Sequence, residues 1–197
     1  MIDAHFSIED RIVLDDIPND LVISTRLPEH SLNPDESLEY HASRILLMLK
    51  YIGIKGRITG RTKIAKLDFF VRYPSYLAKA QGTESQPLSK LPPESPMIRY
   101  KYGPWDTKYY DVFATLVARG LLNIYPSEKG DVFELTERGE YAVQELELPE
   151  FDDIIQRCIV VAKLFKNKPG SALKKYIYDN YPEIVALQVG EEIEVHE

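Results

Sequence analysis

The stretch Met97–Leu146, MIRYKYGPWDTKYYDVFATLVARGLLNIYPSEKGDVFELTERGEYAVQEL, decides the fold. From Leu116 it runs through a helix end, a glycine, a short apolar strand, a turn, a second strand and a new helix start. Gly120 closes the first helix, because a left-handed backbone costs glycine little. Leu121, Leu122, Ile124 and Tyr125 predict a strand, Lys129-Gly130 the tip of a hairpin, and Val132, Phe133 and Leu135 the returning strand. Thr136 is the expected N-cap of a helix from Glu137 to Leu146. This order predicts an α+β, mainly α fold built on a winged helix-turn-helix core.

Upstream in the same stretch, Met97 to Tyr102 alternates and predicts a third strand beside the hairpin. Asp106 is the expected N-cap of a helix whose core face is predicted to hold Tyr109, Tyr110, Val112, Phe113, Leu116 and Val117. Trp105, the one tryptophan, is expected to plug the corner between strand and helix.

Before this unit, Ser37 or Asp35 caps a predicted helix through Tyr51. Residues 55–61, KGRITGR, read as a basic turn without phosphate-loop spacing. A second helix is predicted over Thr62–Tyr73, stopped by Pro74, with Asp68 and Arg72 four apart as an exposed ion pair. Residues 81–96 carry four prolines and predict a flexible loop. After Pro149, helices are predicted over Phe151–Phe165 and, capped by Ser171, over Ala172–Tyr181. The expected organisation is an acidic extended arm over 1–36, a winged-helix domain over 37–147, and a helical segment with an acidic tail over 148–197.

The net charge of −7 is unevenly spread. Residues 1–40 hold ten acids against Arg11 and Arg26, whereas residues 50–67 hold six cations and no acid. Those cations, Lys50, Lys55, Arg57, Arg61, Lys63 and Lys66, are the candidate contacts to a nucleic-acid backbone. The expected reading helix begins with Asp106, and the wing tip Ser127–Asp131 sets one lysine among acids, so sequence-specific operator reading is disfavoured. In the arm, Ile12, Val13, Leu14 and Leu21, Val22, Ile23 form two aliphatic pieces suited to docking on a partner.

Cys158, the one cysteine, lies among isoleucines and reads as a buried apolar side chain. The four histidines are scattered without metal-ligand spacing. No nucleophile elbow or dinucleotide loop stands in the sequence, so no cofactor and no enzymatic activity are expected. With no apolar run long enough to span a bilayer and no basic, apolar leader, the expected location is the cytoplasm, without a membrane partner.

Three segments carry a family resemblance: TKIAKLDFFVRYPSYLAKA (62–80), MIRYKYGPWDTKYYDVFATLVARGLL (97–122) and SALKKYIYDNYPEIVALQVGEEI (171–193). Together they resemble the middle components of bacterial ABC-three-component antiviral defence systems, a class that includes the small middle subunit of Lamassu-type systems. The Tyr-Lys-Tyr-Gly-Pro turn is also similar to one in Panacea-type antitoxin domains. The first resemblance implies a non-catalytic scaffold that links an SMC-like ABC ATPase to an effector subunit, often a nuclease. The second keeps a DNA-binding regulator or antitoxin-like protein as the alternative.

Overall fold

A computed structural model of the chain describes residues 37–83 and 96–194. The predicted arm with its two aliphatic pieces, nearly all of the proline-rich loop and the last three residues lie outside the described residues.

The first helix, α1 (Leu38–Tyr51), starts where the Ser37 hydroxyl accepts the Tyr40 N–H at 3.2 Å. Strand β1 (Arg57–Thr59) follows, then α2 (Arg61–Arg72) and α3 (Pro74–Gln81), which Pro74 divides. A hairpin, β2 (Ile98–Tyr100) and β3 (Gly103–Trp105), leads to α4 (Tyr109–Ala118). Strands β4 (Leu122–Tyr125) and β5 (Val132–Leu135) lead to α5 (Glu137–Glu145), whose Thr136 cap accepts the Gly139 N–H at 2.9 Å. Helices α6 (Asp152–Phe165), α7 (Gly170–Asn180) and the short α8 (Pro182–Ala186) complete a mainly helical α+β fold.

The larger sheet is antiparallel in the order β1-β5-β4, with Phe133 opposite Ile58 on one side and Ile124 on the other. The third member beside the hairpin is therefore β1, inside the segment expected to be a turn, and not Met97–Tyr102. That segment has no edge to offer. One side of β2 pairs with β3, and on the other Arg99 N–H donates to Glu191 O and Gly190 N–H to Arg99 O, both at 2.8 Å. Two capping expectations also change. Asp106 accepts the Lys108 N–H at 2.8 Å ahead of α4, which starts at Tyr109. Helix α7 starts at Gly170 after Pro169, whose fixed φ suits the extended backbone of the cap position.

Helix α2 is the hub, packed by α6, α7 and β3. It buries Ile64, Leu67, Phe69, Phe70 and Val71, and Phe70 stacks on Phe165 with ring centroids 4.5 Å apart. Because neighbours surround it, Asp68 and Arg72 are buried, contrary to the exposed pair expected from their spacing. Asp68 Oδ1 accepts Arg44 Nε of α1 at 2.8 Å, and Oδ2 accepts Arg72 Nε at 2.9 Å and the Tyr109 hydroxyl of α4 at 2.8 Å. Arg72 also pairs with Asp106, and His41 Nδ1 lies 2.9 Å from Arg44 Nη2. One polar cluster thus ties α1, α2 and the entry to α4.

Burial alone would raise the Asp68 carboxyl, but Arg44, Arg72 and the Tyr109 hydroxyl outweigh it and hold the group below the usual range. For Asp106, burial is likewise outweighed by His41, Arg72 and the Lys108 N–H. Two carboxylates with depressed folded values stabilise the protein fully above their unfolded pKa of about 4, and that contribution fades as pH falls below it. Removing one partner of a buried pair costs about 3–5 kcal/mol because a charge is left uncompensated. Asp68→Ala should lower the unfolding free energy measured by urea denaturation at pH 7 by that much. The gap between wild type and variant should narrow at pH 3.

Candidate functional site

Strand β1 and the start of α2 carry four of the six candidate cations or their neighbours, and the structure disperses the set. Lys50 pairs with Glu140 of α5 at 2.5 Å, and Arg57 with Glu134 of β5. Lys55 lies exposed in a left-handed turn with φ 55°. Arg61 pairs with Asp131 at 3.1 Å, and Lys63 Nζ donates to Lys166 O at 2.6 Å. Lys66 is buried beneath the β2–β3 hairpin, where its Nζ donates to Pro104 O at 2.7 Å. Lys50, Arg57 and Arg61 face acids in pairs that are exposed and therefore exchangeable.

Around Arg61 two openings meet. One, of about 720 Å³, is lined by Arg61, Lys63, Lys129, Asp131, Gly170 and Ser171. The starts of α2 and α7 both reach it, and neither start is capped by a side chain. The other, of about 300 Å³, is lined by Arg61, Lys66, Tyr100, Tyr102, Trp105 and Tyr110. Its rings are held by neighbours. Trp105 stands edge-on to Tyr109 at 5.0 Å, and Tyr100 and Tyr110 each lie 6.2 Å from it. Lys174 of α7 sits 4.7 Å over the Tyr102 ring. Gly103, with φ 92°, brings the hairpin backbone against Lys66 and Tyr178, where a side chain would crowd the Tyr178 ring.

Trp105 therefore is half-buried and lines an opening as well as closing a corner. Tyr110 and Val117, expected on the core face of α4, are instead exposed, on the side of that helix turned away from the core. Tyr100 and Tyr102 read from sequence only as strand residues. The signal available was aromatic density alone: Tyr100, Tyr102, Trp105, Tyr109 and Tyr110 fall within eleven residues. Alternation placed Tyr100 and Tyr102 on a strand, and only the hairpin turn at Gly103 gathers them with Trp105 and Tyr110 round Lys66.

No family model, curated protein or solved structure matches the chain. Among the described residues no group of three His, Cys, Asp or Glu side chains could hold a metal ion, and no helix is long and apolar enough to cross a membrane.

Burial, with a smaller effect from the Lys174 charge, lowers the Lys66 ammonium to about 7. An unfolded lysine titrates near 10.4, so between these values the unfolded chain binds more protons and stability rises with pH. Chemical denaturation at pH 7 and pH 9.5 should show that rise in the wild type. Lys66→Met, which keeps the stem and removes the charge, should flatten it.

Proposed function

We propose that this chain is a winged-helix scaffold, a non-catalytic subunit that links an SMC-like ABC ATPase to an effector in an antiviral assembly. The order α1, β1, α2, α4, β4, β5, with β1 paired to β5, supports the winged-helix reading. The resemblance of residues 62–80, 97–122 and 171–193 to middle components supports the partners.

The observation that carries an assembly role is an open groove of about 510 Å³ between α1, α4 and α5. Ala42, Leu46, Leu116 and Leu121 line it, and Tyr141 stands at its edge 64% exposed. An amphipathic helix from a partner suits such a groove, its apolar face on the half-buried Leu121, Ala142 and Leu146 and its flanks against charges of both signs. Arg138 and Glu145 offer those charges, as does the Glu39–Arg119 pair at 3.2 Å.

An affinity pull-down from nuclease-treated host lysate, read by mass spectrometry, tests the role. A large ABC-type ATPase and a second protein should be recovered in fixed ratio. Tyr141→Ala should leave the thermal midpoint unchanged and weaken partner binding by about 2 kcal/mol, the loss expected of an aromatic anchor. Recovery of the chain alone, with duplex DNA bound when nuclease is omitted, would replace the scaffold by the regulator.

A further inference from the structure

We propose that the pocket under the β2–β3 hairpin binds a nucleotide unit of single-stranded nucleic acid, its base stacked among Trp105, Tyr100 and Tyr110 and its phosphate directed to Arg61. The pocket lies wholly among the described residues, and binding there goes beyond the scaffold role.

The ring faces come first. Tyr102 and Tyr110 are 55% and 59% exposed, a large aromatic surface to leave in water beside a half-buried tryptophan. Three of these rings share one opening of about 300 Å³ with Trp105, a volume at the small end of the range for small-ligand sites. Stacking on such rings is tolerant of base identity, because every base presents a π-face.

The charge of the walls selects among flat or aromatic ligands. Aromatic enclosures also recognise quaternary ammonium groups, but this one has cations in its walls. Arg61 lines it and Lys174 stands over Tyr102, while Lys66 on the buried floor is only part-protonated at neutral pH. A cationic ligand would be repelled, and an anion carrying a ring is favoured. Arg61 also lines the adjoining opening, where Lys63 and Lys129 add positive charge against Asp131. A strand leaving the aromatic pocket past Arg61 meets that cationic surface at its next phosphate. Duplex DNA keeps its base faces stacked inside and cannot enter the rings, so the pocket discriminates strand state.

An acidic peptide is the rival ligand. It would use the cations and leave the exposed ring faces largely unused, so removal of a tyrosine separates the two.

Trp105, as the one tryptophan, reports on the site directly. The full chain is titrated with an oligothymidylate of about a dozen nucleotides, with the corresponding duplex, with thymidine monophosphate and with a glutamate-rich peptide. Trp105 fluorescence is followed, and anisotropy of a labelled strand gives an independent constant. The single strand should quench saturably and bind more weakly as salt rises. Tyr100→Ala and Tyr110→Ala, exposed positions whose folding is checked by circular dichroism, should each weaken it about ten-fold. Arg61→Ala should reduce the salt slope by about 0.7. Monophosphate binding as tight as the oligomer would keep the pocket and name a free nucleotide as its ligand. The proposal is overturned by an absence of binding to either, by a duplex bound as tightly as the single strand, or by peptide binding that the tyrosine variants leave unchanged. No partner protein enters this test, so its result is independent of the pull-down.

Discussion

The carboxylate of Asp68, shared between Arg44 and Arg72, is the constraint on which the rest of the fold depends. It sits in the middle of α2, and its partners arrive from α1 and α4, which are far apart in sequence. Hydrophobic contacts are non-directional and would tolerate some sliding of these helices. Charged hydrogen bonds at 2.8–2.9 Å do not. The cluster is not required for net stability, because a well-packed apolar replacement of a buried pair is often neutral. What it contributes is register: once Asp68 is buried, both arginines must be in place. Among the described residues, Arg44 Nη1 has no hydrogen-bond partner, although the guanidinium stands 5.7 Å over the Tyr40 ring.

A second set of buried polar contacts joins the C-terminal segment to the hairpin. Tyr73, at the end of α2, accepts the Met97 N–H at 2.7 Å and donates to Ile193 O at 2.9 Å. The Tyr181 hydroxyl donates to Tyr76 O at 3.0 Å. Residues 148–194 are therefore part of the same core as α2. This has a consequence at the surface. With one edge of β2 held by residues 190–192 and the other by β3, the hairpin lies fixed over Lys66 and its rings are presented outward. The geometry of the pocket thus descends from the core through Tyr73 and the chain end.

The cationic segment between residues 50 and 67 has a divided fate, and the reason is local. Each cation on β1 or at a helix end finds an acid across the sheet or on α5, because antiparallel pairing sets Arg57 opposite Glu134. Exposed pairs of this kind are weak and yield to a stronger anion. Lys66 instead points into the interior, where its charge is costly and its position is guarded by Pro104 O. Sequence charge marks the segment, while burial decides which of its side chains face solvent.

By itself, the sequence determined the local elements. Ser37 and Thr136 cap their helices, Gly120 and Gly130 take left-handed conformations at the expected turn and hairpin, and Pro74 parts two helices. These depend on short-range hydrogen bonding and backbone sterics, which a few neighbouring residues settle. Tertiary structure alone decided what those elements meet. Whether Asp68 and Arg72 face water, which strand lies beside β5, and whether four aromatic rings share one opening are properties of long-range packing. Helical spacing reads the same for a buried ion pair as for an exposed one. Alternation does not say which edge a strand will find, because backbone hydrogen bonds carry no side-chain identity.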